Sequence, residues 1–349
     1  MKNFAIKTPD AEIRTALQQK IDGLTKPLGS LGRLEELALQ IGWIQQTLTP
    51  SLDRPYNIVF AGDHGVAEEK VSLSPKEVTR QMVDNFLKGG AGISFLCRQH
   101  GFRLRVVDAG VDAELPAADG LIDLKIRRGT RNFVDTAAMT REEMELAVER
   151  GASVAAMCRD DGCNVISFGE MGIGNTTTSS AVASVLLQKD PELVTGAGAG
   201  LDSAGLKRKT EAIRRGIGLH HPDPMDGMEV LQKVGGFDLA AMAGAFLGGA
   251  IYHVPVVIDG VIAAAAAAAA GRIAPAATDY MLAAHVSAEP ASIWLLDLIG
   301  VTPAIQAGLR LGEGTGALAL FPLLDMALSI YRDMDTFAEM EIEEYKPLV

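Results

Sequence analysis

The sequence predicts an α/β protein built on one mainly parallel sheet with helices on both faces. Three observations lead there. Short apolar runs such as YNIVFA (residues 56–61) and VPVVI (254–258) read as strands buried on both sides. Stretches with apolar residues three and four apart alternate with these runs, the order expected of parallel strands joined by helical crossovers. Glycine and aspartate recur where the runs end, in GDHGV (62–66), DAGVD (108–112), GEMGIGN (169–175) and DG (259–260). Four loops therefore converge beyond the carboxyl ends of the strands, where sheets of this kind bind ligands.

Taken in order, residues 10–47 carry helical spacing (Ile13, Leu17, Ile21, then Leu34, Leu37, Leu39, Ile41) broken by KPLGSLG, which predicts two helices around a glycine turn. YNIVFA is the first strand, and residues 75–87 return to helix. A strand over 104–107 ends at Asp108, and a helix over 141–158 leads to a strand over 164–168 and the loop GEMGIGNTTTS (169–179). Helices are expected over 180–188, 207–218 and 237–252, with the glycine turn GAGAG (196–200) ahead of the second. VPVVIDG repeats the strand-then-aspartate pattern, and a last strand lies near 280–285. The run of eight alanines, Ala263–Ala270, is expected to be a helix in close contact with the sheet; Asp259 and Gly260 interrupt the apolar stretch before it, which argues against a membrane span. No repeat of fixed period and no Pro- or Ser-rich linker divides the chain. The two helical ends, residues 1–48 and 300–349, are expected to form a small lobe beside a large α/β domain over 49–299.

A chain of 349 residues, 48% hydrophobic and only 5% aromatic, with 37 glycines, has ample core and loops suited to close approach by small ligands. Its formal charge of −12 excludes a general attraction to nucleic acid or anionic membranes, so any anionic ligand needs a local site. Cys97, Cys158 and Cys163 have neither disulfide-framework nor metal-type spacing, which points to a reducing cytoplasm, and MKNFAIKTPDAEIR lacks the apolar core of a secretory leader.

GEMGIGNTTTS reads either as a nest of backbone N–H groups at a helix N-terminus, with Thr176 and Thr177 hydroxyls around a phosphate, or as a strand-to-helix turn with an Asn or Thr cap. It lacks the G-K-[ST] ending of a nucleotide-triphosphate loop, and Glu170 places a carboxylate where an anion would sit. GAGAG and Lys209 would complete a phosphate cradle, although a lone lysine on a helix is ordinarily a solvated charge. Glu313, between two glycines in RLGEGTGA (310–317), either caps the following helix or serves as a base whose glycine neighbours admit a substrate. Asp63 and His64 read as structural support, because the six histidines show no metal-ligand spacing. Asp108 and Asp259 either bond ribose hydroxyls or cap turns. No nucleophile elbow occurs, and Cys163 reads as an inert thiol.

KPLGSLGRLE (26–35), GDHGV (62–66), SPKEVTRQM (74–82), GEMGIGNTT (169–177), QKVGGFD (232–238), DGVI (259–262), HVSAEP (285–290) and RLGEGTGA (310–317) occur in order over nearly the whole chain. Together they resemble the nicotinate-nucleotide:dimethylbenzimidazole phosphoribosyltransferase family of cobalamin nucleotide-loop assembly. The resemblance implies a Rossmann-like sheet, a small helical lobe, a homodimer, and no metal or redox cofactor. It implies transfer of the phosphoribosyl group of nicotinate mononucleotide to 5,6-dimethylbenzimidazole, with inversion, giving α-ribazole 5′-phosphate and nicotinate. Glu313 matches the family's general base and Glu170 its second active-site glutamate. Gly172, Gly198 and Lys209 match the phosphate cradle, joined by Asn175, Thr176 and Thr177. Ser74, Met171 and Leu311 match the benzimidazole pocket, with Gln81 or Met82 beside them.

Two other readings stay in view: the same transfer to another base or a phenolic acceptor, and a phosphosugar-binding protein with the cradle but no base. A dinucleotide-dependent oxidoreductase would need G-x-G-x-x-G after the first strand, where this chain has GDHGV.

Overall fold

The computed structural model describes residues 4–198 and 200–343. Six strands, β1 (Tyr56–Gly62), β2 (Arg103–Gly110), β3 (Leu121–Asp123), β4 (Ile166–Met171), β5 (Val256–Ile258) and β6 (Met281–Ala283), form one sheet in the order β3-β2-β1-β4-β5-β6. Every neighbouring pair is parallel. This is a doubly wound, Rossmann-like order, in which the chain leaves β1 in one direction across the sheet and returns to β4 on its other side.

The strands carry apolar residues at successive positions because each face meets its own layer of helices. Ile58 and Phe60 of β1, Phe168 of β4 and Ile258 of β5 face one layer. It contains α5 (Arg141–Asp160), α6 (Asn175–Leu187), α9 (Gly227–Val234), α10 (Phe237–Ile251) and α11 (Val261–Ile273). Val59 and Ala61 face the opposite way, onto α3 (Glu77–Leu87) and α4 (Gly92–His100). Val257 of β5 and Leu282 of β6 face the same side onto α1 (Ala11–Asp22), α2 (Arg33–Gln45) and α13 (Thr315–Asp333). The chain ends meet there: Leu24 bridges Thr336, and the Phe337 N–H donates to Gly23 O at 2.9 Å.

The polyalanine run lies in α11, and all eight residues are buried. α11 touches β4 and β5 as expected, and α6, α9 and α10 also pack against it. A face of methyl groups allows that close approach on several sides. The remaining helices are α7 (Pro191–Val194), α8 (Ser203–His220) and α12 (Ser292–Leu298).

Two boundaries differ from the sequence reading in a way that matters. β4 begins at Ile166 and runs to Met171, so Gly169, Glu170 and Met171 belong to the strand, with Glu170 opposite Phe60 of β1. α6 begins at Asn175, five residues before the expected start at 180, so Asn175, Thr176 and Thr177 form its first turn. Periodicity missed this start because α6 is buried nearly all round and shows no polar stripe.

α5 and α10 cross at two glycines. A Cβ on Gly151 would lie 1.8 Å from the Ala241 carbonyl oxygen, and one on Gly244 2.0 Å from the Val148 carbonyl oxygen. Gly244→Ala should therefore push the helices apart and cost about 1–3 kcal/mol of stability, read as a lower denaturant midpoint. An unchanged midpoint would show that the crossing is looser than its backbone contacts indicate.

Candidate active site

A cavity of about 270 Å³ opens beyond the carboxyl ends of β4, β5 and β6, the end of a parallel sheet where ligands bind. Glu170 stands at the end of β4, and Glu313 lies in the loop before α13; both line the cavity. Their side-by-side placement depends on glycines. A Cβ on Gly169 would lie 2.0 Å from the Glu313 carbonyl carbon, and one on Gly312 would lie 2.2 Å from Glu170 Oε1. Only residues without side chains let the strand and the loop touch there.

Glu313 has φ 64°, between Gly312 at 83° and Gly314 at 91°, and a left-handed glutamate is strained. Two buried side chains hold it. Asn57 of β1 donates to Glu313 O at 3.2 Å, while Asp259 accepts from the Gly314 and Ala317 N–H groups at 3.2 and 3.0 Å. Asp259 thereby caps α13, the task that a structural Glu313 would have performed. The Glu313 carboxylate points elsewhere and accepts from the Ile93 N–H in the first turn of α4 at 3.3 Å.

Burial raises the Glu313 pKa above the ordinary glutamate range, and the nearby Asp259 adds to the rise. Glu170 is pushed further, to about 8, first by burial and then by the charges of Asp238 and Asp259; a backbone hydrogen bond from Glu313 opposes them. Its carboxylate also accepts from the Asn175 side-chain amide. Burial and its acidic neighbours thus favour the protonated form of the Glu170 carboxyl at neutral pH.

The other part of the cavity brings a helix N-terminus, a glycine turn and a lysine together. Thr176, in the first turn of α6, and Gly198 line it, and a Cβ on Gly198 would lie 2.9 Å from Thr176 Oγ1 and 3.3 Å from Lys209 Nζ. Lys209 is fully buried on α8 and donates to Thr176 Oγ1 and Gly196 O, each at 3.0 Å. Burial lowers its pKa to about 8, against an upward pull from Glu289. Ala199, within the GAGAG turn, lies outside the described residues.

Of the residues singled out from sequence, Glu170, Met171, Gly172, Asn175, Thr176, Gly198, Leu311 and Glu313 line this one cavity, with Lys209 directly behind Thr176. Thr177 does not line it: the side chain is buried and its hydroxyl has no hydrogen-bond partner among the described residues. Asn175 is committed to Glu170. Gly172 is a packing position as well as a wall, since a Cβ there would lie 2.0 Å from Gly62 O. Ser74, Gln81 and Met82 are not among the lining residues. Met82 packs against the same apolar cluster as Met171, whereas Gln81 is exposed.

His64 and Asp63 support the site from below. His64 is buried between Asp238, 3.2 Å from Nε2, and Thr178, 3.0 Å from Nδ1. Asp63 accepts from Thr79 Oγ1 at 2.6 Å, and the same hydroxyl accepts from the Ile173 N–H at 3.1 Å, which ties α3 to the glycine turn. Asp108 caps a turn through Val111 N–H and pairs with Lys125, away from the cavity. His285, Ser287 and Glu289 of HVSAEP, and Arg310, also line the cavity without having been assigned a role from sequence. Among the described residues no group of three His, Cys, Asp or Glu could hold a metal ion, and no helix is long and apolar enough to cross a membrane.

Residues 6–342 match a family model described as phosphoribosyltransferase. The chain is 48% identical over 345 residues to a nicotinate-nucleotide–dimethylbenzimidazole phosphoribosyltransferase of Bacteroides fragilis, covering 99% of this chain and 100% of that protein. It is 44% identical to the protein of that name from Clostridium acetobutylicum, covering 97% and 96% of the two chains. The crystal structure of CobT from Thermus thermophilus superposes with a TM-score of 0.91 at 41% identity, covering 96% of this chain and 100% of that one. With near-complete coverage at this identity, and the same doubly wound sheet beneath the site, the chain belongs to the nicotinate-nucleotide–dimethylbenzimidazole phosphoribosyltransferase family.

Proposed function

We propose that the protein transfers the phosphoribosyl group of nicotinate mononucleotide to 5,6-dimethylbenzimidazole, giving α-ribazole 5′-phosphate and nicotinate for cobalamin nucleotide-loop assembly. The observation that carries this reading is the division of the cavity. Two buried carboxyls of raised pKa lie beside each other, and the same cavity reaches a helix N-terminus, a glycine turn and a buried lysine. A ribose 5′-phosphate bound to the latter group would present its anomeric carbon to the carboxyls.

The chemistry follows from charge. The bond from the ribose carbon to the pyridinium nitrogen breaks, and its electron pair leaves with nicotinate, so departure needs no acid. Positive charge grows on the ribose carbon. Glu170, protonated while the site holds no cation, releases its proton to solvent as the pyridinium ring enters and then faces that carbon as a carboxylate. The benzimidazole nitrogen attacks from the opposite face, inverting the centre, and its ring partner must give up a proton. Glu313 accepts it; burial makes it a stronger base than a solvated glutamate. Leu311 and Met171, which line the cavity, support an apolar seat for the benzimidazole, with Met82 packed in the same cluster as Met171.

The same reading carries a homodimeric, cytoplasmic enzyme with a small lobe formed by residues 1–48 and 300–349. Cys97, Cys158 and Cys163 are free and buried, and burial pushes the Cys97 thiol up to about 12, which suits chemically silent thiols in a reducing compartment.

Incubation with nicotinate mononucleotide and a panel of benzimidazoles, purines and phenols tests the assignment by nicotinate release; no release with any acceptor would remove it. Glu313→Gln should lower kcat by about 10²–10⁴ with little change in KM for the nucleotide, and unchanged turnover would end the role given to this residue. A pH effect on stability follows from Glu170. Its pKa rises from 4.5 to about 8 on folding, so the folded state keeps a proton that the unfolded chain releases, and this group's effect is to lower stability as pH rises through that window. Glu170→Gln should consequently gain thermal stability relative to the parent at pH 8.5 and lose that advantage near pH 5 in melting curves. A difference independent of pH would show that Glu170 is already ionised in the folded protein.

A further inference from the structure

We propose that Arg310 binds the carboxylate of the nicotinate ring and sets the preference of this site for the nicotinate over the nicotinamide nucleotide. The inference rests on the donor assigned above and extends it to a residue without a role.

The charge inventory of the cavity makes Arg310 conspicuous. Apart from Arg310 and His285, the latter 3.7 Å from Asp259, its titratable walls are acidic: Glu170, Asp259, Glu289 and Glu313. Lys209, the nearby lysine, already donates to Thr176 and Gly196 and stands behind the wall. Arg310 lines the cavity, is exposed, and makes no hydrogen bond or ion pair with any described residue. The nucleotide brings two anionic groups to this site. The phosphate has the α6 N-terminus, the Gly198 turn and Lys209. The ring carboxylate would enter among four acids, and Arg310 is the cation without a partner that can meet it among the described lining residues.

The backbone carrying Arg310 is fixed on both sides. Leu309 O accepts from the Ala288 N–H at 3.1 Å and from Ser287 Oγ at 3.4 Å, and the Gly312–Gly314 turn is tied through Asp259. Arg310 thus stands three residues from Glu313 in one anchored loop, with the side chain free. A guanidinium fork matches a planar carboxylate through two parallel N–H donors, a geometry that a carboxamide cannot share. With no internal partner to lose, substitution at this position leaves no buried group unsatisfied.

The test compares kcat/KM for nicotinate mononucleotide and nicotinamide mononucleotide in the parent, Arg310→Gln and Arg310→Lys, with dimethylbenzimidazole as acceptor. Isothermal titration of nicotinate and nicotinamide runs in parallel. Arg310→Gln should reduce the nicotinate-to-nicotinamide ratio about tenfold or more, mainly through KM, with Arg310→Lys between it and the parent because it keeps the charge and loses the fork. An unchanged ratio, or a parent enzyme that does not discriminate, overturns the proposal, and an equal loss on both nucleotides would place Arg310 at the phosphate instead. If the parent turns over neither nucleotide, the donor assignment fails separately. The titrations then decide: Arg310 keeps its role if Arg310→Gln loses a preference for nicotinate, and loses the role otherwise.

Discussion

The site depends on a contact between two pieces of backbone. Gly169 in β4 lies against the Glu313 carbonyl, and Gly312 lies against the Glu170 carboxyl, so that strand and loop meet with no side chain between them. A methyl group at either position would separate the two glutamates. Much of the surrounding structure maintains this contact. Asn57 holds the Glu313 carbonyl from β1, Ser167 of β4 donates to the Asn57 side-chain oxygen at 2.7 Å, and Asp259 holds the amides that follow. The left-handed glutamate is kept in place by this network of buried polar groups.

The contact has an electrostatic consequence. Asp238, Asp259 and Glu313 lie close enough for their charges to act on Glu170, and all four carboxyls are buried. Four like charges in such a volume are unfavourable, and a proton on Glu170 relieves the repulsion while no cation is present. A ligand that carries positive charge is stabilised by the same crowding. On the proposed function, the site would suit a pyridinium ring and the cationic character that develops as its glycosidic bond breaks, more than a neutral nucleoside. On the proposed function, Lys209 balances these acids on the phosphate side of the ligand, as a cation whose burial lowers its pKa to about 8.

Much of the fold was legible from the alternation of apolar runs with helical spacing, and the loops after β1, β2, β4 and β5 were placed at the correct end of the sheet. The roles of individual glycines were less so. GEMG looks like a phosphate nest because the same residue serves two needs, positive φ and close approach, and sequence does not distinguish them. Here Gly169 and Gly172 serve packing, and Gly198 of the second glycine turn stands beside Thr176 and Lys209. Thr177 was drawn toward the ligand by its place in a threonine row; the helical pitch of α6 turns it into the core, a fact visible only once the helix start at Asn175 is known. Asp259 was left between a ribose contact and a cap, and it caps a helix 55 residues away while lining the cavity. That pairing is tertiary and leaves no local signal. Arg310 stood inside a quoted motif without an assignment, because a missing partner can be recognised only when the neighbours are known.

The most direct test of this account is the protonation state of Glu170 with and without the nucleotide. Difference infrared spectroscopy at pH 7, with the band assigned by its loss in Glu170→Gln, should show a protonated carboxyl in the free protein that disappears when nicotinate mononucleotide binds. A free protein with no such band, or a band that persists unchanged in the complex, would contradict the proposal that the pyridinium ring of the bound nucleotide is what ionises Glu170.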